Sequence, residues 1–163
     1  MNIGDDHRYE GYDELWGLIN RFRKSGIKRS VIEESLPQTN KTVLGKEGRD
    51  AEVERFCEFL RNAGRAGLDT VCYDWMATRW ARTDTAVPTR GDALTTAYDH
   101  EQMQRGPDHP EAPVTADQLW STLEYFLQRV VPIAKEAGVD LALLPKNPPI
   151  SPVRGVDRII TSV

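Results

Sequence analysis

The part of the sequence best suited to chemistry is the run Val71–Asp84, which holds two tryptophans, two arginines and two aspartates. A guanidinium group presents a planar fork of N–H donors that matches a carboxylate, and an indole ring offers a flat face for a sugar. This composition suits recognition of a carboxylate and of a sugar. A purely structural role stays open, in which the tryptophans close one end of a barrel and Arg82 pairs with Asp84.

Carboxylates and histidines elsewhere are weaker candidates. Glu33 and Glu34 come at the end of a predicted strand, where they either hold a cation, transfer a proton, or form a solvated pair at a sheet edge. His7, His100 and His109 do not lie at predicted strand ends, and no two are four residues apart on a helix. Because a metal site needs several converging ligands, these side chains predict no metal centre.

Composition limits the class of protein. The chain has 163 residues, enough for one hydrophobic core, and its net charge of −4 without a dominant basic patch predicts no nucleic-acid partner. No apolar run reaches the roughly 18 residues of a membrane span, and the N-terminus lacks a basic-then-apolar signal pattern. Cys57 and Cys72 lie outside any CxxC motif, which favours buried, reduced thiols in a cytoplasmic protein.

The elements that must position these residues follow a repeating order, in which a helix ends at a glycine and a short apolar strand follows at once. Apolar residues at three- and four-residue spacing predict the helices, and short apolar runs predict the strands. Such alternation implies a parallel sheet with helices between its strands. The predicted helices are Tyr12–Lys24, one from an Asp50 N-cap to Gly67, and one from a capping box at Thr115 to Gly138; the predicted strands are 27–34, 68–73 and 139–144.

The connections between these elements are asymmetric. Helix-to-strand turns are short, whereas the connections after strands, 36–49 and 75–114, are long. In a β/α-barrel the loops at the carboxyl ends of the strands build the functional site. The sequence therefore predicts an α/β fold, a partial (β/α)8 TIM barrel of about three to four β/α units with a parallel sheet. We expect a single incomplete domain over residues 1–163 with a long loop at about 75–114, of which Thr85–Val114 is either ordered against a substrate or mobile.

The same run also resembles a family signature. Cys72–Met76 followed by Trp80–Asp84 is similar to the strand and loop of mannonate dehydratases, which read roughly VCYNFMP and then WTRTD. The resemblance covers most of Ser30–Val163. Further stretches that resemble the family, in the same order, are Glu34–Pro37, Leu60–Gly67, Phe126–Gly138 and Arg154–Ile160.

This resemblance implies a TIM barrel of the xylose-isomerase-like kind that dehydrates D-mannonate to 2-dehydro-3-deoxy-D-gluconate in hexuronate breakdown, with Mn²⁺ or Fe²⁺. A metal on the substrate oxygens stabilises the charge left when the proton alpha to the carboxylate is removed. We therefore expect Arg82 and Asp84 to face the pocket of a sugar-acid substrate. The other predicted substrate-binding residues are Trp75 and Trp80, which would shape that pocket, and Glu34.

The chain departs from the family pattern after its last predicted strand. Where the family reads HPDDPP, with the histidine a metal ligand, this chain places Leu144, Lys146 and Asn147 at the positions of the histidine and the two aspartates. Leucine cannot coordinate a metal. The family's other metal ligands and its principal acid–base residues correspond to positions after Val163. We therefore expect no metal bound by this chain alone, no assignable catalytic residue, and no dehydratase activity in isolation.

Two alternatives stay open. One is a sugar isomerase or epimerase on the same kind of barrel, because a fold does not fix a reaction. The other is a non-catalytic remnant or split subunit, because a partial barrel leaves sheet edges and an apolar face uncovered and so favours self-association or a partner chain. The sequence does not decide between a shortened gene product and a functional split subunit.

Overall fold

The computed structural model describes residues 10–28, 31–33, 36–78 and 81–162. These residues fold into five helices and five strands, with a 3-10 turn at Arg90–Asp92. No helix among them is both long and apolar enough to cross a membrane. In chain order the elements are α1 (Tyr12–Lys24), β1 (Val31–Glu33), α2 (Asn40–Val43), α3 (Arg49–Ala66), β2 (Thr70–Tyr73), β3 (Asp84–Pro88), β4 (Leu94–Ala97), α4 (His100–Gln104), α5 (Ala116–Ala137) and β5 (Asp140–Leu143).

One compact unit takes the chain up to Trp75 together with Ser121–Leu144. Its centre is a parallel sheet in the order β1-β2-β5, in which Val71 lies between Ile32 and Leu141. Each strand is followed or preceded by a helix, as the alternation of elements predicts. The predicted parallel α/β arrangement is therefore confirmed for the described strands.

The strands are shorter than their apolar runs. Of the predicted strand 27–34, β1 covers Val31–Glu33, and residues 29, 30 and 34 lie outside the described part of the chain. The strands predicted over 68–73 and 139–144 are Thr70–Tyr73 and Asp140–Leu143. The apolar runs extend further because residues such as Leu68 and Val139 are buried without joining the ladder.

The ends of the helices agree with the local sequence signals more closely than the ends of the strands do. α1 occupies the predicted Tyr12–Lys24. The predicted N-cap at Asp50 is wrong, because α3 begins at Arg49 and Asp50 lies in its first turn, where a carboxylate is favourable near the positive end of the helix dipole. Gly67 ends α3 as predicted, with φ 86°, a left-handed conformation that glycine adopts without strain.

The start of α5 is also set locally. The backbone N–H of Gln118 donates to Oγ1 of Thr115 over 3.2 Å, which satisfies one of the unpaired donors of the first helical turn. The predicted cap at Thr115 is thereby confirmed.

Aromatic rings fill the core of this first unit. Phe126 of α5 lies with its ring centroid 4.9 Å from Phe56 of α3, 5.7 Å from Tyr73 of β2 and 5.0 Å from Trp75. All four side chains are buried. Their packing joins both long helices to the end of the central strand.

The second compact unit comprises Met76–Trp120 and the chain from Pro145 onward. It contains the antiparallel pair β3–β4, with Val87 opposite Thr95, and the short helix α4. The sequence predicts only a long loop here, so the hairpin is a correction. Most side chains of both strands are exposed, and the alternation of apolar and polar residues that would predict a half-buried strand is therefore absent.

Candidate functional site

The hairpin of the second unit positions the two residues predicted to face a sugar acid. Arg82 precedes β3, and its side chain reaches β4, where Nε donates to Oγ1 of Thr96 over 3.0 Å; its Nη1 donates to the carbonyl of Ala81 over 2.8 Å. Asp84 begins β3, and its Oδ1 accepts from the backbone N–H of Ala86 over 2.9 Å. The guanidinium of Arg82 is thus held by the neighbouring strand, whereas the carboxylate of Asp84 turns back on its own strand.

The other predicted substrate-binding residues occupy different surroundings. Trp75 is fully buried in the aromatic core of the first unit, and its role in shaping a pocket stays a prediction. Trp80 and Glu34 lie outside the described residues. Glu33, the carboxylate before Glu34, is exposed at the end of β1.

Arg82 lines an open cavity of about 220 Å³ in the second unit. Nδ1 of His109 accepts from the backbone N–H of Glu111 over 3.1 Å, which leaves Nε2 to carry the proton of the neutral ring. Two guanidinium groups and a histidine among the lining residues favour an anionic ligand. The cavity is lined by Thr78, Ala81, Arg82, Met103, His109, Val153 and Arg154.

A further arginine of the same unit is one that the sequence analysis did not single out. Arg158 is only 6% exposed, its backbone N–H donates to Oγ of Ser151 over 2.9 Å, and its Nη1 donates to the carbonyl of Pro148 over 3.0 Å. Burial lowers the pKa of Arg158, while Tyr98 raises it and the positive charge of Arg82 lowers it. The available signal was the position of Arg158 in the run Val156–Ile160, where apolar residues on both sides of Asp157-Arg158 indicate burial of the segment.

The position at which the family pattern has a histidine ligand carries no ligand here. The backbone N–H of Leu144 donates to the carbonyl of Tyr73 over 2.8 Å, so Leu144 directly extends the pairing of β5 with β2. Its hydrocarbon side chain has no donor atom for a metal. Within the described residues, no three His, Cys, Asp or Glu side chains are grouped so that they could hold a metal ion. The described residues therefore do not fit the divalent metal that the resemblance implies.

Both cysteines are free thiols, as predicted; Cys57 is buried as expected, whereas Cys72 is only half-buried. Burial raises the pKa of Cys57 and of Cys72, and nearby carboxylates, Glu54 for Cys57 and Glu33 for Cys72, raise it further. Since the thiolate is the reactive form, neither cysteine is activated as a nucleophile.

The parallel sheet with its intervening helices defines an α/β protein with part of a TIM-barrel-like architecture. The family model for D-mannonate dehydratase (UxuA) matches residues 10–112 and 108–163. The chain therefore belongs to the D-mannonate dehydratase family. This result favours the dehydratase resemblance over the sugar isomerase or epimerase alternative.

Individual relatives agree with the family assignment. The chain is 33% identical to a mannonate dehydratase of Streptococcus uberis, over 93% of this chain and 50% of the relative. It is 30% identical to one of Streptococcus agalactiae, over 92% of this chain and 51% of the relative. The crystal structure of mannonate dehydratase from Streptococcus suis serotype 2 superimposes with a TM-score of 0.83 at 29% identity, over 98% of this chain and 47% of that one. The chain thus spans about half the length of the relatives it matches.

Proposed function

We propose that this chain is a mannonate dehydratase-type protein whose ligand is a hexonate of the D-mannonate class, and that in isolation it does not carry out the dehydration. The family match across residues 10–163 is the observation that supports the ligand class. The relatives it matches are themselves named mannonate dehydratases.

The cavity of the second unit supports an acidic sugar as ligand. Arg82 and Arg154 bring positive charge for a carboxylate, and Nε2 of His109, whose Nδ1 accepts from the backbone, offers a donor for a hydroxyl oxygen. In this proposal Arg82 binds and orients the acid. Asp84, the first residue of β3, faces the same bound acid.

The residues at the end of β5 support the absence of turnover. Removing the proton alpha to a carboxylate leaves a charge that a metal or an equally strong electrophile must stabilise. Leu144 supplies no ligand, and the described side chains offer no alternative cluster. We propose that the Mn²⁺ or Fe²⁺ associated with the family is not bound by this chain alone.

The test is an activity assay with sensitive detection of the product. Purified chain is incubated with D-mannonate and Mn²⁺, and 2-dehydro-3-deoxy-D-gluconate is measured by mass spectrometry. The mannonate dehydratase of Streptococcus suis serves as the positive control in the same buffer. We expect product in the control alone; product formed by this chain above the buffer blank contradicts the proposal.

We further propose a cytoplasmic location, no nucleic-acid or membrane partner, and self-association or pairing with another chain through the sheet. The two free thiols support a reducing compartment. β5 ends the described sheet order, and an exposed strand edge offers backbone groups to another strand. Size-exclusion chromatography with light scattering checks the association; a stable folded monomer at all concentrations contradicts it.

A further inference from the structure

Arg158 is a buried cation with unused hydrogen-bonding capacity. Its Nη1 donates a hydrogen bond to the carbonyl of Pro148, but Nε and Nη2 are buried and have no hydrogen-bond partner within the described structure. Burying a donor without an acceptor is costly, and burying a charged donor without one is more so. The site is therefore incomplete without an acceptor for these two nitrogens.

The two open donors have a defined geometry. In a planar guanidinium group, the N–H bonds of Nε and Nη2 on one side run nearly parallel, and together they match the two oxygens of a carboxylate. Because Nη1 is held by the carbonyl of Pro148, the plane of the group is fixed. The buried side of Arg158 that carries Nε and Nη2 is thus a bidentate fork with no acceptor among the described residues.

Two groups act on the charge of Arg158 from nearby: Tyr98 favours the charged guanidinium, and the positive charge of Arg82 opposes it. Arg82 is close enough to act electrostatically on Arg158, and it also lines the open cavity of the same unit. No described carboxylate forms an ion pair with Arg158. The charge of the fork is left for a group from outside the described residues to neutralise.

We propose that Arg158 is the anchor for the carboxylate of a small organic acid, with Nε and Nη2 each donating to one oxygen and Arg82 adding a second positive charge beside it. This inference rests on the proposed function for the identity of the acid, a hexonate, and extends it by adding Arg158 to Arg82 as a residue that binds the carboxylate. The bound carboxylate supplies the acceptor that Nε and Nη2 lack. Binding therefore also removes the free-energy cost of burying two donors without an acceptor.

The direct test follows the Nε–H signal of Arg158 by NMR in the full chain. The protein is titrated with D-mannonate, with acetate as the bare carboxylate, and with D-mannitol as the uncharged analogue, all at constant ionic strength. We expect the signal to shift and saturate with D-mannonate and acetate, and to stay in place with D-mannitol. No shift with either carboxylate, or an equal shift with D-mannitol, overturns the proposal.

Two variants test the fork itself by calorimetry. Arg158→Lys keeps the positive charge but removes the parallel donors, so D-mannonate affinity should fall by about tenfold or more. Arg90→Lys, at an exposed position of the hairpin turn, is the matched control and should bind as the parent does. Unchanged affinity in a folded Arg158→Lys chain overturns the proposal, and the ligand series on the parent chain decides the matter if that variant does not fold.

The same titrations separate this inference from the proposed function. If acetate moves the Arg158 signal and D-mannonate does not bind, the carboxylate anchor stands and the hexonate ligand fails. If D-mannonate binds with measurable heat while the Arg158 signal is unmoved, the ligand class stands and the anchor fails.

Discussion

A single buried carboxylate, that of Glu52, joins the start of α2 to α3. Its Oε1 accepts from Oγ1 of Thr39 over 2.6 Å, and its Oε2 accepts from the backbone N–H of Thr39 and of Thr42 over 3.2 Å each and from Oγ1 of Thr42 over 2.8 Å. Glu52 is only 6% exposed. Because Thr39 is the N-cap of α2, this carboxylate also satisfies donors of the first turn of a four-residue helix that has little stability of its own.

Replacing this carboxylate should measurably destabilise the chain. In Glu52→Gln, the amide brings N–H donors of its own into a site where four donors need acceptors. We therefore expect the free energy of unfolding to fall by about 2 kcal/mol. Urea titrations followed by circular dichroism measure this change. Glu54→Gln is the control, because Glu54 and Arg61 form an exposed pair at 3.4 Å. The control should change stability by less than about 1 kcal/mol. Equal effects of the two variants would contradict the role assigned to Glu52.

Between elements, one close backbone approach involves a glycine in α3. A Cβ atom on Gly64 would overlap the backbone carbonyl oxygen of Ala137, the last residue of α5. Gly17, in the middle of α1, has no atom within 4 Å of the position of a Cβ. Gly64 therefore permits the packing of α3 against the end of α5, whereas Gly17 serves no such purpose.

The same substitution should consequently have opposite effects at these two glycines. Gly17→Ala should raise the free energy of unfolding by about 0.5–1 kcal/mol, because alanine favours a helix interior. Gly64→Ala should lower it by at least about 1 kcal/mol, since the helices must move apart. Thermal unfolding of both variants beside the parent checks the signs. A stabilising Gly64→Ala would show that the two helices do not need this close approach.

The stability of the folded chain at high pH depends on the aromatic core. Burial raises the pKa of Tyr73 to about 12, from an ordinary value of 10.0. The folded chain therefore retains this proton after the unfolded chain has lost it. The stability associated with the neutral phenol is fully present below pH 10, and it is lost as the pH rises from 10 towards 12.

A comparison with Tyr73→Phe isolates this contribution. Between pH 9 and 11, the free energy of unfolding of the parent chain should fall by about 1.4 kcal/mol more than that of the variant, because one pKa unit corresponds to that amount. Urea titrations at several pH values measure both slopes. Parallel pH profiles for the two proteins would show that Tyr73 is ionised equally easily in both states.

Local sequence determined where several helices begin and end. The limits of α1, the end of α3 at Gly67 and the cap of α5 at Thr115 follow from apolar spacing, a left-handed glycine and a hydroxyl at a helix start, all of which act within one or two turns. The family signature around Trp80–Asp84 likewise predicted Arg82 and Asp84 as substrate-binding residues, because it depends on the order of residue types alone.

Only the tertiary structure decided the second unit and its candidate site. β3 and β4 are stabilised mainly by pairing with each other, and their exposed side chains leave no periodic signal. The environment of Arg158 depends on Pro148, Ser151 and Tyr98, which are brought to it by turns and by the hairpin. Residue types can be read along a chain, but burial and the absence of an acceptor depend on neighbours that folding alone supplies.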